Sequence, residues 1–255
     1  MQKKRNLGDS SFPSLLFTLK NIKIYAYANK ILDYQTACPM SLINFSEYNI
    51  NRVKSNKHYT EEERLRLLDY LATIPDEKKD AYDLAIELDF ELGLRIAELK
   101  AIKHCDISKG FVYIHGQVLE KKVNGHVVHT YEDYVKTQNE EGLRYLPLSD
   151  RAKKIIARLN TLLFGEEYLF KKDGRYLTTC TFNRHLQKHC PKAGIPYKSS
   201  HKIRFGFATR LISKKCPLNE LSAILGHTNI ATTSRYVKVV QKATQNARML
   251  DYMGA

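Results

Sequence analysis

Four residues near the C-terminal end of the chain have types and spacings that suit chemistry on a phosphate group: His201, Arg204, His227 and Tyr236. His201 and Arg204 are three positions apart, so on a helix both side chains can point at one anion. Gly226 can end one helix just before His227, and the following TNIATT segment can cap a next helix that carries Tyr236. The four side chains could therefore converge on one site.

Transfer of a phosphoryl group to a tyrosine needs this combination of residue types. The non-bridging oxygens gain negative charge during the reaction, so the protein must chiefly supply electrostatic stabilisation, which arginine guanidinium groups do well. A tyrosine with an ordinary pKa of about 10 needs cationic neighbours and a proton acceptor such as histidine, and a lysine can protonate the leaving oxygen. Each residue alone has an ordinary structural explanation, whereas the set favours phosphoryl transfer without a metal ion.

The composition points to a polyanionic partner in a reducing compartment. The 255 residues include 41 Lys and Arg against 27 Asp and Glu, a net charge of +14, although charge alone does not say which polyanion is bound. The five cysteines are odd in number and form no CxxC pair, which argues against a disulfide framework and a zinc ribbon. No apolar run is long enough to cross a membrane, so we expect a cytoplasmic protein without a membrane partner.

Helices are expected to position the first half of the site. Thr60 precedes three glutamates and fits a capping box for a helix that ends near Thr73. A second helix is predicted from about 77 to 92, and Gly93 can end it. Arg95 is then placed at a turn between two helices.

A sheet is expected between Gly110 and Leu148, where the residues become β-branched and aromatic. Asn124 and Gly125 favour a two-residue hairpin, so we predict a three-stranded antiparallel sheet with Lys136 just after its second strand. From Asp150 onward the pattern is helical again. The fold class is therefore α+β and mainly helical, with the sheet on one edge.

Two segments lie outside this region. Residues 17 to 32 have helical periodicity, and residues 49 to 57 carry three basic and no acidic side chains, which favours an exposed basic linker. After Tyr236, a further helix is predicted, with apolar residues toward one side.

Four sequence blocks together resemble a known family. They are ELGLRIAELKAI (91 to 102), VKT with LRYLPL (135 to 148), HKIRFGFATRLI (201 to 212) and LGHTNIATTSRY (225 to 236). In order and spacing they are similar to the catalytic domain of the tyrosine recombinases, also called phage integrases, over about residues 58 to 240. The long hairpin before Lys136 looks most like integrases of conjugative transposons and related mobile elements.

The resemblance implies a role for each of six residues. Arg95 and Arg204 would bind the scissile phosphate together with His227. Tyr236 would become joined to the 3′-phosphate, His201 would act in proton transfer, and Lys136 would protonate the 5′-oxygen. The implied reaction is strand cleavage and rejoining with no cofactor, because the phosphotyrosine bond conserves the energy of the broken phosphodiester.

The resemblance also implies partners and domains. We expect double-stranded DNA as the partner, a homo-tetramer on synapsed DNA with a monomer possible without DNA, and a nucleoid-associated protein of bacterial or phage origin. The C-terminal helix could pack on its own domain or on a neighbour. Residues 1–57 are shorter than the family's core-binding domain, so we expect a remnant of that domain plus a linker, before a catalytic domain at 58–255. Phe205 and Gly206 also depart from the family's usual residues.

Contacts with DNA beyond the site are predicted from charge. The basic side chains best placed to meet phosphates lie in the linker or beside the site, namely Arg52, Lys54, Lys57, Lys198 and Lys202.

Three alternatives stay open. A DNA-binding regulator without full recombination and a type IB topoisomerase-like enzyme would share many of these residues. Zinc bound by Cys180, His185, His189 and Cys190 is the third, but adjacent His189 and Cys190 are not usual ligand spacing, so we expect no metal.

Overall fold

The computed structural model divides the chain into two compact units, Met1–Ser55 and Asn56–Ala255. It describes residues 58–134 and 142–227 continuously, together with Thr18, Ile22, Tyr25, Ala26, Ala28–Ile31, Thr233, Ser234, Tyr236 and Val237. In the first unit, Thr18, Ile22, Tyr25, Ala26 and Ala28 are helical, in agreement with the predicted helix. Lys136, the basic linker and most of the predicted C-terminal helix lie outside the described residues.

The first helix of the second unit begins where its sequence predicts. Helix α1 spans Glu61–Ala72. The Thr60 hydroxyl accepts from the backbone N–H of Glu63, and the Glu63 carboxylate accepts from the backbone N–H of Thr60, so the predicted capping box is confirmed. Its apolar face buries three leucines in the core.

Helix α2, Ala81–Leu92, is the central element of the core. It begins later than the predicted residue 77, because Asp80 caps its first turn by accepting from the backbone N–H groups of Tyr82 and Asp83. Nine of its twelve residues are buried, since α2 packs against helices on several sides. A short 3-10 turn, Asp76–Lys78, precedes it.

The end of α2 places Arg95 between two helices. Gly93 adopts the left-handed conformation with φ 61° and ends α2 as predicted. Arg95 then caps the short helix α3, Ile96–Ala101, so its predicted position between two helices is confirmed.

The predicted antiparallel sheet forms, but with different strands. Its three strands are β1 (Ile107–Ser108), β2 (Phe111–Ile114) and β5 (Arg144–Pro147), in the order β1-β2-β5. Strands β3 (Gly116–Val123) and β4 (His126–Asp133) pair only with each other. The segment between Phe111 and the Asn124-Gly125 turn thus forms two strands, where the predicted sheet has room for one, and the chain leaves the sheet at His115.

A close contact explains that change of direction. A Cβ on Gly116 would lie 2.5 Å from the Tyr131 hydroxyl, so glycine is required for the hairpin to cross close to its partner strand. The predicted hairpin turn is confirmed, because Asn124 and Gly125 have φ values of 50° and 82°.

The remainder of the unit is mostly helical, which confirms the predicted fold class. The helices are α4 (Asp150–Leu162), α5 (Thr179–Lys192), α6 (His201–Ser213) and α7 (Leu218–Leu225), with a small β6–β7 hairpin of Lys171–Lys172 and Arg175–Tyr176 before α5. Helices α4, α5 and α6 all pack on α2. Among the described residues, no helix is long and apolar enough to span a bilayer.

Replacing Gly93 by Ala should destabilise the unit strongly. A Cβ at this position would lie 2.3 Å from Cγ of Phe207, and the φ of 61° already disfavours any side chain. We expect the free energy of unfolding to fall by about 3 kcal/mol, measured by urea denaturation. Gly125→Ala is the matched control, since its φ is 82° but no described atom lies within 4 Å of its Cβ; it should cost only about 1 kcal/mol. Equal effects in the two variants would contradict the role of the Phe207 contact.

Candidate active site

The candidate site is organised around the buried carboxylate of Glu98, in the first turn of α3. Three guanidinium groups surround it. Nη1 of Arg95 lies 2.6 Å from Oε1, Nη2 of Arg144 lies 2.8 Å from Oε2, and Nη1 of Arg204 lies 3.6 Å from Oε2. The Tyr134 hydroxyl also donates to Oε1 over 3.2 Å. One carboxylate therefore holds together arginines from α3, β5 and α6.

The electrostatics of Glu98 follow from these neighbours. Burial by itself raises the pKa of this carboxyl, but the positive charges of Arg144 and Arg204 outweigh burial and lower the pKa to about 2. Glu98 is therefore ionised at neutral pH. Three guanidinium charges less one carboxylate charge leave a net charge of two positive units at the cluster.

The end of helix α7 holds all three arginines. Its last carbonyl groups have no partner within the helix, and each accepts from a different arginine. The Ile224 carbonyl accepts from Nε of Arg144 over 2.7 Å, the Leu225 carbonyl from Nη2 of Arg204 over 2.5 Å, and the Gly226 carbonyl from Nη2 of Arg95 over 3.4 Å. The negative end of the helix dipole thus faces the positive cluster.

Arg204 is the most deeply placed of the three, with 1% exposure. Besides Leu225, its guanidinium donates to the carbonyl of Gly93 over 3.2 Å, so the C-terminal ends of α2 and α7 both bind it. Burial, with a smaller contribution from the charges of Arg95 and Arg144, outweighs the opposing effect of Glu98 and lowers the pKa of Arg204 to about 10. Arg204 is still charged at neutral pH. By contrast, 40% of the Arg95 side chain is exposed.

His227 is held between Arg204 and Thr233. Its Nε2 lies 3.1 Å from Nη2 of Arg204, which can only donate, and its Nδ1 lies 2.8 Å from the Thr233 hydroxyl. Burial, then the charges of Arg204 and Arg95, lower the pKa of His227 to about 4. The ring is therefore neutral at pH 7, with its Nε2 accepting and its Nδ1–H donating.

Tyr236 lies in this cluster, with 5% exposure. Its ring is stacked on His227, with centroids 6.1 Å apart, and meets the Phe205 ring edge-on at 4.7 Å. The tyrosine is thus packed against α6 of its own chain. His201 begins α6 and is exposed; burial of part of its ring, with Lys202 and Arg204, lowers its pKa.

The predicted DNA-contact residues have different placements. Lys198 is buried, because its ammonium lies 2.5 Å from both carboxylate oxygens of Glu63 and 5.1 Å above the Tyr59 ring. It therefore ties α1 to the segment before α6 and does not present a free charge to a phosphate. Lys202 is half-buried, 6.0 Å above the Phe205 ring. Arg52, Lys54 and Lys57 lie outside the described residues.

Sequence reasoning missed Glu98 and Arg144. Glu98 follows Arg95 by three positions, the spacing of a capping box, and its carboxylate does accept from the Arg95 backbone N–H. In β5 the residues alternate between buried and exposed, and Arg144 occupies a buried position. An arginine at an inward position of a strand signals a buried anionic partner.

The four residues weighed as a zinc site do not come together. Cys180 is exposed, and the Cys190 thiol lies 3.4 Å from the Tyr59 hydroxyl. His185 and His189 instead face the carboxylate of Asp83 on α2.

Replacing Glu98 by Gln should destabilise the protein in a pH-dependent way. The variant leaves buried guanidinium groups without their counter-charge, so we expect the free energy of unfolding at pH 7 to fall by about 3 to 5 kcal/mol. The pKa of Glu98 is lower in the folded chain, so its contribution is present above its ordinary pKa of about 4.5 and is lost as the pH falls through about 2. The difference in free energy of unfolding between the unchanged protein and Glu98→Gln should therefore become smaller below pH 4.5.

Urea unfolding at a series of pH values measures this gap. Glu62→Gln is the control, because 73% of the Glu62 side chain is exposed in its ion pair with Arg66. Its free energy of unfolding should equal that of the unchanged protein at every pH. A gap that stays constant down to pH 2 would show that Glu98 is not the titrating group.

Comparison with known proteins places this geometry in a family. The model of the phage integrase family matches residues 57–243. The tyrosine recombinase XerA of Thermococcus kodakarensis is 25% identical over 263 aligned residues, covering 96% of this chain and 84% of the relative. A XerC-like tyrosine recombinase of Caldanaerobacter subterraneus is 29% identical, covering 63% of this chain and 46% of the relative.

Solved structures show the same fold. The integrase of the Tn1549 transposon, in complex with a circular intermediate DNA, has a TM-score of 0.74 at 17% identity, covering 96% of this chain and 81% of that chain. The XerA recombinase has a TM-score of 0.52 at 21% identity, covering 74% and 63%. Because the family match spans well over half of the sequence, the chain belongs to the phage integrase family, the tyrosine recombinases.

Proposed function

We propose that this tyrosine recombinase cleaves and rejoins DNA strands at specific sites through a 3′-phosphotyrosyl bond on Tyr236. The observation that carries the proposal is the cluster of Arg95, Arg144 and Arg204 around Glu98, adjacent to His227 and Tyr236. Its surplus of two positive charges suits a phosphodiester, which carries one negative charge and gains more in the transition state.

Arg95 and Arg204 are the proposed phosphate ligands. Arg95 is partly exposed and can reach an incoming phosphate, whereas Arg204 is fixed by carbonyl groups and supplies a preorganised charge. Preorganised donors stabilise a transition state without having to reorient during the reaction.

His227 is proposed to bind the same phosphate. Its low pKa reflects partial burial and the unneutralised arginines nearby. An arriving phosphate cancels part of that positive charge and so raises the pKa of His227, which favours uptake of a proton and donation from Nε2. His201, exposed at the start of α6, is proposed for proton transfer.

Lys136 is proposed as the general acid for the 5′-oxygen. The described residues on both sides of its segment reach the cluster. The Tyr134 hydroxyl donates to Glu98, and the Gly142 carbonyl accepts from Arg144 over 2.9 Å. These two contacts beside Glu98 support the proposed role of Lys136.

The partners follow from the relatives. We propose that the chain binds double-stranded DNA, as the Tn1549 integrase does in its complex, and that it acts as a homo-tetramer on synapsed DNA in the cytoplasm of a bacterium. Residues 1–57 are proposed as part of a core-binding domain and linker, and 58–255 as the catalytic domain. The alignment with XerA supports this, because it covers 96% of the chain and so includes most of the first unit.

The test uses nicked duplexes with randomised sequence around the nick, so that a short cleaved fragment dissociates and the covalent adduct accumulates. We expect a protein–DNA complex that survives denaturation. Peptide mass spectrometry should locate the attached DNA at Tyr236, and sequencing of the trapped DNA would give the target sequence. Plasmids carrying two such targets should then yield recombinants. Relaxed plasmid without recombinants would instead support the topoisomerase-like alternative, and DNA binding without any adduct would support the regulator.

A further inference from the structure

A second cluster of potential ligands lies between α2 and α5. Asp83 Oδ1 lies 3.1 Å from Nδ1 of His185 and 2.8 Å from Nε2 of His189. His185 and His189 are four positions apart on α5, so both rings leave the same face of the helix. One potential ligand atom from each of the three residues lies within 4.8 Å of the other two.

The distances suit a small divalent cation. Zinc binds imidazole nitrogen and carboxylate oxygen at about 2.0 to 2.1 Å, which places neighbouring ligand atoms roughly 3.3 Å apart in a tetrahedron. The two measured separations from Asp83 are slightly shorter than this. Outward shifts of less than about 1 Å would therefore open the space for the ion.

The surroundings of the ligands resemble the outer shell of a metal site. The other Asp83 oxygen, Oδ2, accepts from the Asp80 backbone N–H over 3.3 Å, which fixes the carboxylate. The Nε2 of His185 lies 3.6 Å from Oδ2 of Asp80, which orients its Nδ1 toward Asp83. A histidine that ligates through one nitrogen and faces a carboxylate with the other is the usual arrangement around protein-bound zinc.

Burial adds to the case. Asp83 is 5% and His189 2% exposed, and the Tyr82 ring stacks on His185 at 4.9 Å. A buried group of two imidazoles and one carboxylate has the ligand types that zinc prefers. The side chain of His185 is 18% exposed, so a water molecule can complete the tetrahedron from that side.

We propose that Asp83, His185 and His189 bind one zinc ion that fastens α2 to α5. Their contacts in the described part of the chain do not reach Glu98 or its arginines, so the ion is structural and takes no part in strand cleavage. It holds the N-terminal part of α2. At the other end of this helix, the Gly93 carbonyl accepts a hydrogen bond from Arg204.

Metal analysis of the untagged full-length chain tests the proposal. After incubation with zinc chloride and desalting, we expect about one zinc per chain by mass spectrometry, and zinc should raise the melting temperature by about 5 to 10 °C over the chelated protein. Asp83→Asn and His189→Gln should lose both the bound zinc and the shift. Less than about 0.1 zinc per chain, with no shift, would overturn the proposal.

The control variants are His115→Gln and Cys180→Ser. His115 forms an ordinary pair with Asp106, Nε2 to Oδ1 over 2.9 Å, and Cys180 is exposed, so both variants should keep the zinc and the shift. If Asp83→Asn and His189→Gln do not fold, cobalt bound to the unchanged protein gives the answer. A tetrahedral cobalt spectrum without a thiolate charge-transfer band supports the site, whereas a thiolate band assigns the metal to cysteine and rejects it.

Discussion

Tyr236→Phe is expected to abolish formation of the covalent DNA adduct while leaving fold and DNA binding unchanged. The substitution keeps the ring that packs edge-on against Phe205 and stacks on His227. It removes only the oxygen that would attack phosphorus, and no other group at that position can form the bond. The adduct yield on nicked substrates should therefore fall below detection, with unchanged affinity in a gel-shift titration.

Tyr145→Phe is the matched control. Tyr145 is exposed on the face of β5 opposite to Arg144 and stacks on Tyr113, so the variant should form the adduct normally. An adduct that survives in Tyr236→Phe would assign the nucleophile to another of the 16 tyrosines.

Arg204→Ala is expected to lose both cleavage and stability. Removing one preorganised charge from the transition state should slow single-turnover cleavage by at least about 10²- to 10³-fold. The same change deprives the carbonyls of Gly93 and Leu225 of a donor and Glu98 of one of its counter-charges. The free energy of unfolding should fall by about 3 to 5 kcal/mol, measured in urea.

Arg95→Ala separates the two effects. Arg95 also pairs with Glu98 over 2.6 Å, but its side chain is 40% exposed and binds a single carbonyl, so this variant should lose cleavage to a similar degree and lose about 1 kcal/mol of stability. Arg66→Ala, which breaks an exposed ion pair with Glu62, should change neither quantity. Near-normal cleavage in Arg95→Ala or Arg204→Ala would contradict the proposed phosphate site.

Three positively charged side chains lie close together in the free protein, and the fold offsets their mutual repulsion. One buried carboxylate and three carbonyl groups at the end of α7 stabilise the guanidinium groups in the free protein. This leaves a positive surplus, which we expect the phosphate of a DNA strand to neutralise.

Local sequence was sufficient for several elements. The Thr60 capping box, the Gly93 helix end and the Asn124-Gly125 turn each depend on a few adjacent residues, and all three were predicted correctly. The start of α2 was predicted too early, because the cap at Asp80 outweighs the helical pattern that precedes it. The strand break at His115 was missed, since it depends on how closely Gly116 approaches Tyr131 across the hairpin.

Four local sequence blocks were enough to identify the family and to predict Arg95, Arg204 and Tyr236 as site residues, but they did not reveal Glu98 or Arg144. The pairing of charges, by contrast, depends on how distant elements pack. Lys198 was predicted to meet phosphates, but packing of α1 brings Glu63 to it. Arg144 becomes part of the site because β5 directs it inward to Glu98, and Asp83 meets His185 and His189 from another helix. The physical reason is that a charge excluded from water needs a partner at short range, and that partner is supplied by packing between elements distant in the sequence.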